Sequence, residues 1–142
     1  MATQAPPTAQ TCILVIEDSF ADLVLMKEVI RSLSLEGSVY AAKTRSEAET
    51  FLSSPQLLQQ FGSPSLIILD LHLGREHGAD LIHRLRSNHL LKNPRIIAFT
   101  DHPDSTTEEL RATTVVKSVH DTGFKEQFAR ILRDWQASDS KQ

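Results

Sequence analysis

Four β-rich runs of this 142-residue chain each stop at a residue that can do chemistry. "CILVI" (Cys12 to Ile16) ends at Glu17-Asp18, and "LIIL" (Leu66 to Leu69) meets Asp70. "RIIAF" (Arg95 to Phe99) meets Thr100, and "TTVV" (Thr113 to Val116) meets Lys117. Three carboxylates brought together repel one another unless a cation sits among them, and Mg²⁺ is the natural hard, oxygen-loving partner. A carboxylate can also be a nucleophile and carry a phosphoryl group as an aspartyl-phosphate. Phosphoryl transfer needs positioning and neutralised charge, which a metal and a lysine supply. A threonine hydroxyl can donate to one phosphoryl oxygen. Each residue also has a plainer reading. Glu17-Asp18 suits a helix N-cap, Asp70 a solvated strand end, Thr100 β-branched filler and Lys117 an edge-strand surface charge.

The elements that must position these residues are legible in the pattern. Strands are expected at Cys12 to Ile16, Ser38 to Lys43, Ser65 to Leu71, Arg95 to Thr100 and Thr113 to Ser118. Helices alternate with them. Ser19-x-x-Asp22 resembles a capping box ahead of Leu23, Met26, Ile30 and Leu33. Ser46-x-x-Glu49 opens a second helix, which Pro55 breaks before "QLLQQFG" adds another turn. A third helix starts near Gly78 and buries Leu81, Ile82 and Leu85, and Ser105-x-x-Glu108 caps a short fourth. Phe124, Phe128, Ile131, Leu132 and Trp135 form one stripe of the last. Alternating strands and helices predict an α/β fold, a doubly wound parallel sheet covered on both faces. Right-handed crossovers then put every strand's C-terminal end on one edge, where ligands bind.

Composition narrows the class. The chain is 40% hydrophobic and 23% charged, with a net charge of −3, which makes no electrostatic case for nucleic acid. One cysteine, Cys12, precludes an internal disulfide framework. No apolar run is long enough to span a bilayer, and the N-terminus lacks a signal-peptide pattern. The expected organisation is a flexible leader over 1–10, one domain over 11–136 and a disordered tail over 137–142, in a cytoplasmic protein.

The constellation "VIEDS", "LIILDLHL" with Gly78 eight residues after Asp70, Thr100 thirty residues after Asp70, and Lys117 resembles the response-regulator receiver domain of two-component signalling. The likeness runs from Cys12 to about Trp135, and "EDSFADLVLMKEV" is reminiscent of regulators paired with bacterial phytochromes. It implies a flavodoxin-like five-stranded sheet of order 2-1-3-4-5. It also implies that Asp70 is the phosphoacceptor. Glu17, Asp18, Asp70 and the backbone carbonyl of His72 would hold Mg²⁺, Lys117 would pair with the phosphoryl group and Thr100 would be the switch hydroxyl. A histidine kinase or phosphotransfer protein would be the donor. The chain would be a stand-alone regulator, not an enzyme beyond its own phosphorylation and dephosphorylation. It would act on a downstream protein target, with a homodimer possible and no nucleic acid or membrane partner.

The chain also departs from the family pattern. Thr114 stands where the family places an aromatic residue, three before the lysine, and Ser118 stands in place of the following proline. The stretch from Thr100 to Lys117 is short, which stunts the fourth helix. Asp101 follows the switch threonine where a small residue is usual, and Gly74 replaces a proline. His72 and His102 each lie two residues after a key position, Asp70 and Thr100, and would flank the path of the hydrolytic water and set the aspartyl-phosphate lifetime. The alternative function is a receiver-fold interaction module that works without phosphate. A haloacid-dehalogenase-like phosphatase would need a second acid two residues after the nucleophile, where this chain has His72.

Overall fold

A computed structural model of the chain describes residues 11–73, 76–88, 91, 93–102 and 113–139. The expected leader over 1–10, Gly74, the fourth helix from Ser105-x-x-Glu108 and residues 140–142 lie outside the described residues.

Strand β1 (Thr11–Ile16) leads into helix α1 (Phe20–Ser32), then β2 (Val39–Ala42), α2 (Arg45–Leu52), α3 (Pro55–Phe61) and β3 (Ser63–Leu69). A two-residue ribbon follows, β4 (His72–Leu73) antiparallel to β5 (Glu76–His77), and then α4 (Gly78–Ser87). Strands β6 (Arg95–Thr100) and β7 (Thr113–Val116) and helix α5 (Asp121–Asp139) complete the order. The five-stranded sheet runs β2-β1-β3-β6-β7, and every pair in it is parallel. Counting those strands along the chain gives the order 2-1-3-4-5, as expected.

Successive strand side chains point to opposite faces, so strands covered on both faces must be apolar throughout. In β1, Cys12, Leu14 and Ile16 pack with Phe51 of α2 and Leu81, Ile82 and Leu85 of α4. Ile13 and Val15 face the other way, onto Leu23, Met26 and Ile30 of α1 and Phe124 and Phe128 of α5. The last helix buries Phe124, Phe128, Ile131 and Leu132, as its stripe predicts. Trp135 ends the stripe half-buried, its indole N–H donating to Ser65 Oγ at 2.7 Å.

Several boundaries differ from the reading of the sequence. β3 begins and ends two residues early, so Asp70 and the buried Leu71 follow the strand. β7 stops at Val116, which puts Lys117 just past its end. α2 is capped by Thr44, whose extended backbone lets Oγ1 accept from Glu47 N at 3.0 Å, two residues before the Ser46 expected there. Pro55 does not merely break that helix. It starts α3 at the first helical position, where its missing N–H costs nothing, behind the Ser54 cap. α3 ends at Gly62, whose φ of 88° suits glycine alone. α5 continues to Asp139, three residues into the expected tail. Cys12 is buried, its Sγ bonded to Gly62 O, and burial pushes its thiol up to about 12.

Candidate functional site

The parallel ladder runs one residue past the ends of three strands and so sets the residues of the rim in register. Glu17 N donates to Ala42 O at 3.0 Å, Asp70 N to Ile16 O at 3.1 Å and Lys117 N to Thr100 O at 2.9 Å. Those three side chains, joined by Asp22 from the first turn of α1, reach one point at the C-terminal edge. The ammonium of Lys117 is at its centre, 2.6 Å from Glu17 Oε1, 2.7 Å from Asp70 Oδ2 and 2.7 Å from Asp22 Oδ2. A lysine ammonium has three N–H groups, and three carboxylates take them. The ring of Phe99 lies under the ammonium, 5.8 Å from its centroid, within cation–π range.

Asp70 uses both oxygens. Oδ2 faces Lys117, while Oδ1 accepts from Thr100 Oγ1 and from His72 N, each at 2.9 Å. Thr100 and Glu17 are almost fully enclosed, at 0% and 1% exposure, and Asp70 keeps 8%. Among the described residues no buried side-chain nitrogen or oxygen lacks a partner. That is how charge is tolerated at the edge of a core.

Three acids share one ammonium. Burial raises the Glu17 carboxyl to about 7 from its ordinary 4.5, against the opposing pull of Lys117. Burial would raise Asp70 too, but bonds from Lys117, His72 N–H and Thr100 together hold it below its ordinary value. Burial would lower Lys117, yet the charge of Glu17 and bonds to Asp22, Asp70 and Glu17 hold it above its ordinary value. Lys117 and Asp70 are thus held toward their charged forms, while burial works against the charged form of Glu17.

Glu17, Asp70, Thr100 and Lys117 come together as the strand ends predict. Asp18 is exposed beside them. Among the described residues no three His, Cys, Asp or Glu side chains are grouped as metal ligands, and the Lys117 ammonium bridges Glu17 and Asp70. The rings of His72 and His102 meet edge to face with centroids 5.4 Å apart, and both residues are exposed. His102 N donates to Thr100 Oγ1 at 3.3 Å, and Asp101 is exposed next to it. Thr114 lies half-buried within β7.

Asp22 was not foreseen as part of this cluster, because its spacing from Ser19 reads as a capping box. Half of that box exists, with Ser19 Oγ accepting from Asp22 N at 3.2 Å. The reciprocal half does not, since Ser19 N donates to Glu17 Oε2 at 3.2 Å. The Asp22 carboxylate is left to Lys117. A second acid four residues after Asp18, on the first turn of the helix leaving the rim, is the signal that could have found it.

The arrangement can be compared with known proteins. The response regulator Rcp1 of Synechocystis sp. is 30% identical over 91 residues, covering 63% of this chain and 62% of Rcp1, so the match spans less than two thirds of that relative. The crystal structure of the Mn(2+)-bound form of Rcp1 has a TM-score of 0.75 at 24% identity, over 89% of this chain and 94% of that one. The phosphorylated cyanobacterial phytochrome response regulator RcpA reaches 0.78 at 20% identity, over 92% of this chain and 96% of that one. At those identities the likeness is one of fold. No helix among the described residues is long and apolar enough to cross a membrane. The response regulator receiver domain model matches residues 13–123, most of the chain and every member of the cluster around Lys117, and on that match the chain belongs to the response regulator receiver domain family of two-component signalling.

Proposed function

We propose that Asp70 accepts a phosphoryl group from a histidine kinase or a phosphotransfer protein. One Asp70 oxygen attacks the phosphorus of a phosphohistidine. The O–P bond forms as the N–P bond breaks, and the departing imidazole takes up a proton. The observation that carries this reading is the three-way hold on Asp70, by Lys117 at 2.7 Å and by Thr100 Oγ1 and His72 N at 2.9 Å. Those contacts keep the carboxylate ionised and fix its orientation, the two conditions for a nucleophile. Lys117 then neutralises charge on the transferred group, and the Thr100 hydroxyl turns from Asp70 Oδ1 to a phosphoryl oxygen.

A divalent cation, Mg²⁺ or its like, fits the chemistry of the donor set. The donors are the carboxylates of Glu17, Asp18 and Asp70 and the carbonyl of His72, all hard oxygens. Burial holds the Glu17 carboxyl up to about 7, and such an ion would favour its ionised form. When bound, it supplies positive charge beside the phosphoryl oxygens, a role Lys117 would share. The phosphorylated chain signals through contacts with a downstream protein. The resemblance to phytochrome-associated regulators supports a light-sensing kinase as donor.

A second reading rests on Thr114 and Ser118, which replace the aromatic residue and the proline of the usual readout. In it the fold binds its partner with or without phosphate. One experiment separates the two. Incubation with Mg²⁺ and acetyl phosphate, followed by peptide mass spectrometry, is expected to find a phosphoryl group on Asp70, and beryllofluoride to bind the same site. A folded protein that takes up neither leaves the second reading standing.

A further inference from the structure

We infer that Gln127 of α5 is a positioning residue for Lys117, a role that rests on the phosphoacceptor function proposed for Asp70. Its side-chain amide makes two hydrogen bonds to the backbone on either side of that lysine. Nε2 donates to Val116 O at 2.7 Å, and Oε1 accepts from Ser118 N at 2.8 Å.

The pattern imitates a strand. In a parallel ladder, one residue's N–H and C=O bond to the carbonyl before and the amide after the residue opposite it. The Gln127 amide offers the same two groups to the same two partners around Lys117. β7 is an edge strand of its sheet, paired with β6 alone. On the β6 side, Lys117 N donates to Thr100 O at 2.9 Å. On the outer side a ladder partner is missing, and Gln127 takes its place. The backbone of Lys117 is thus held from both sides at the point where β7 has ended.

A second observation concerns the same face of α5. Gly123 is one helical turn before Gln127, and residues four apart share a face. A Cβ on Gly123 would come within 2.4 Å of Ser118 Oγ and 3.0 Å of Ser118 Cβ. Glycine there lets α5 sit close enough to the Lys117-Ser118 segment for the Gln127 side chain to span both peptide groups. Ser118 thereby acquires a part the sequence alone did not suggest. Unlike proline, it has an N–H, and that N–H is one end of the clamp.

The consequence is reach. A lysine side chain is a flexible four-carbon stem, and three carboxylates from three different elements meet its tip. With the Cα fixed, the ammonium is delivered to one place. With the Cα free to shift, the same side chain samples many, and misplacement by about 1 Å in such a site can cost up to ~100-fold in rate.

The test uses the full chain with Gln127→Met, which keeps length and bulk but makes neither bond, and Gln127→Glu, which keeps an acceptor for Ser118 N but cannot donate to Val116 O. Two quantities are read: the rate of Asp70 phosphorylation by acetyl phosphate with Mg²⁺, and the Lys117 ammonium resonance by ¹⁵N NMR. Both variants are expected to phosphorylate more slowly, by on the order of tenfold, with the Lys117 resonance shifted or broadened. A purely structural role would lower the melting temperature and leave both readouts at the parent value in the folded protein. That result in either variant overturns the inference, and Gln127→Glu carries the test if Gln127→Met does not fold. If the parent itself is not phosphorylated, the functional reading fails, and the Lys117 resonance alone decides whether Gln127 positions it.

Discussion

The rim around Asp70 and the strand β7 adjoin, and they are built by opposite rules. At the rim, the residue after β1, α1, the segment after β3, β6 and the residue after β7 each send a group to one ammonium or its partners, and Glu17, Thr100 and Lys117 are buried. In β7 the outer residues Thr113 and Val116 are exposed and the inner two, Thr114 and Val115, half-buried. One side of the boundary is overdetermined, since moving any member leaves a buried charge or hydroxyl unpaired. The other side is less constrained, since two of its four side chains are exposed, although Val115 packs against the core. The residues proposed to carry the phosphoryl chemistry lie in the first region. Thr114 and Ser118, the two departures from the family pattern named above, fall in or beside the second.

The contrast breaks if Lys117 proves dispensable. Lys117→Met keeps the stem and removes the charge, leaving Glu17 and Asp70 facing each other in a buried site. A loss of about 3–5 kcal/mol in unfolding free energy, measured by urea denaturation, is expected. A loss no larger than that of an exposed residue would mean that the rim is not held by its ion pairs.

The pH dependence of stability sharpens it. Glu17 keeps its proton to about pH 7 when folded but only to its ordinary 4.5 when unfolded. Between those values the folded state binds more protons, so stability falls as pH rises. Asp70 works in the opposite sense but below this window, because its folded value is lowered and its contribution is lost only in more acid solution. Denaturation midpoints measured from pH 4.5 to 7 without divalent cations should decline in the parent, relative to Glu17→Gln, in which that slope is absent. Equal slopes in the two proteins would reject a Glu17 carboxyl raised by burial.

The histidine pair gives a smaller effect. With their rings 5.4 Å apart beside Asp70 and Thr100, His72→Ala and His102→Ala are each expected to change the lifetime of phosphorylated Asp70 by a few-fold, of order 1 kcal/mol in barrier. The check is loss of phosphate followed at neutral pH. Unchanged lifetimes in both variants would remove these side chains from the water path.

The smallest effect is expected on the β7 side. Thr114→Ala should alter stability by roughly 0.5 kcal/mol or less and leave Asp70 phosphorylation at the parent rate. A large effect on either would show β7 to be as tightly specified as the rim.

The sequence was informative where local physics decides. An apolar run that stops at a polar residue marks a strand end, so Glu17, Asp70, Thr100 and Lys117 were legible as rim residues. Helical stripes were legible for the same reason, down to the burial of Phe124, Phe128, Ile131 and Leu132. It was least informative where two local choices are nearly equal. Thr44 and Ser46 each precede a glutamate by three residues, and backbone geometry chose Thr44. The two-residue strands β4 and β5 are too short to leave a periodic trace.

The sequence by itself thus determined which residues stand at strand ends and which faces are apolar, because periodicity and burial are local properties. Only the tertiary structure decided who meets whom. Lys117 bonds to Asp70 from 47 residues away, to Asp22 from 95 and to Glu17 from 100. Gln127 grips the lysine's backbone from the far end of a helical turn, while Asp22 abandons half of a capping box for it. Those choices follow from strand order and helix approach, which bring one ammonium within hydrogen-bond distance of three acids and leave its backbone an open edge to fill.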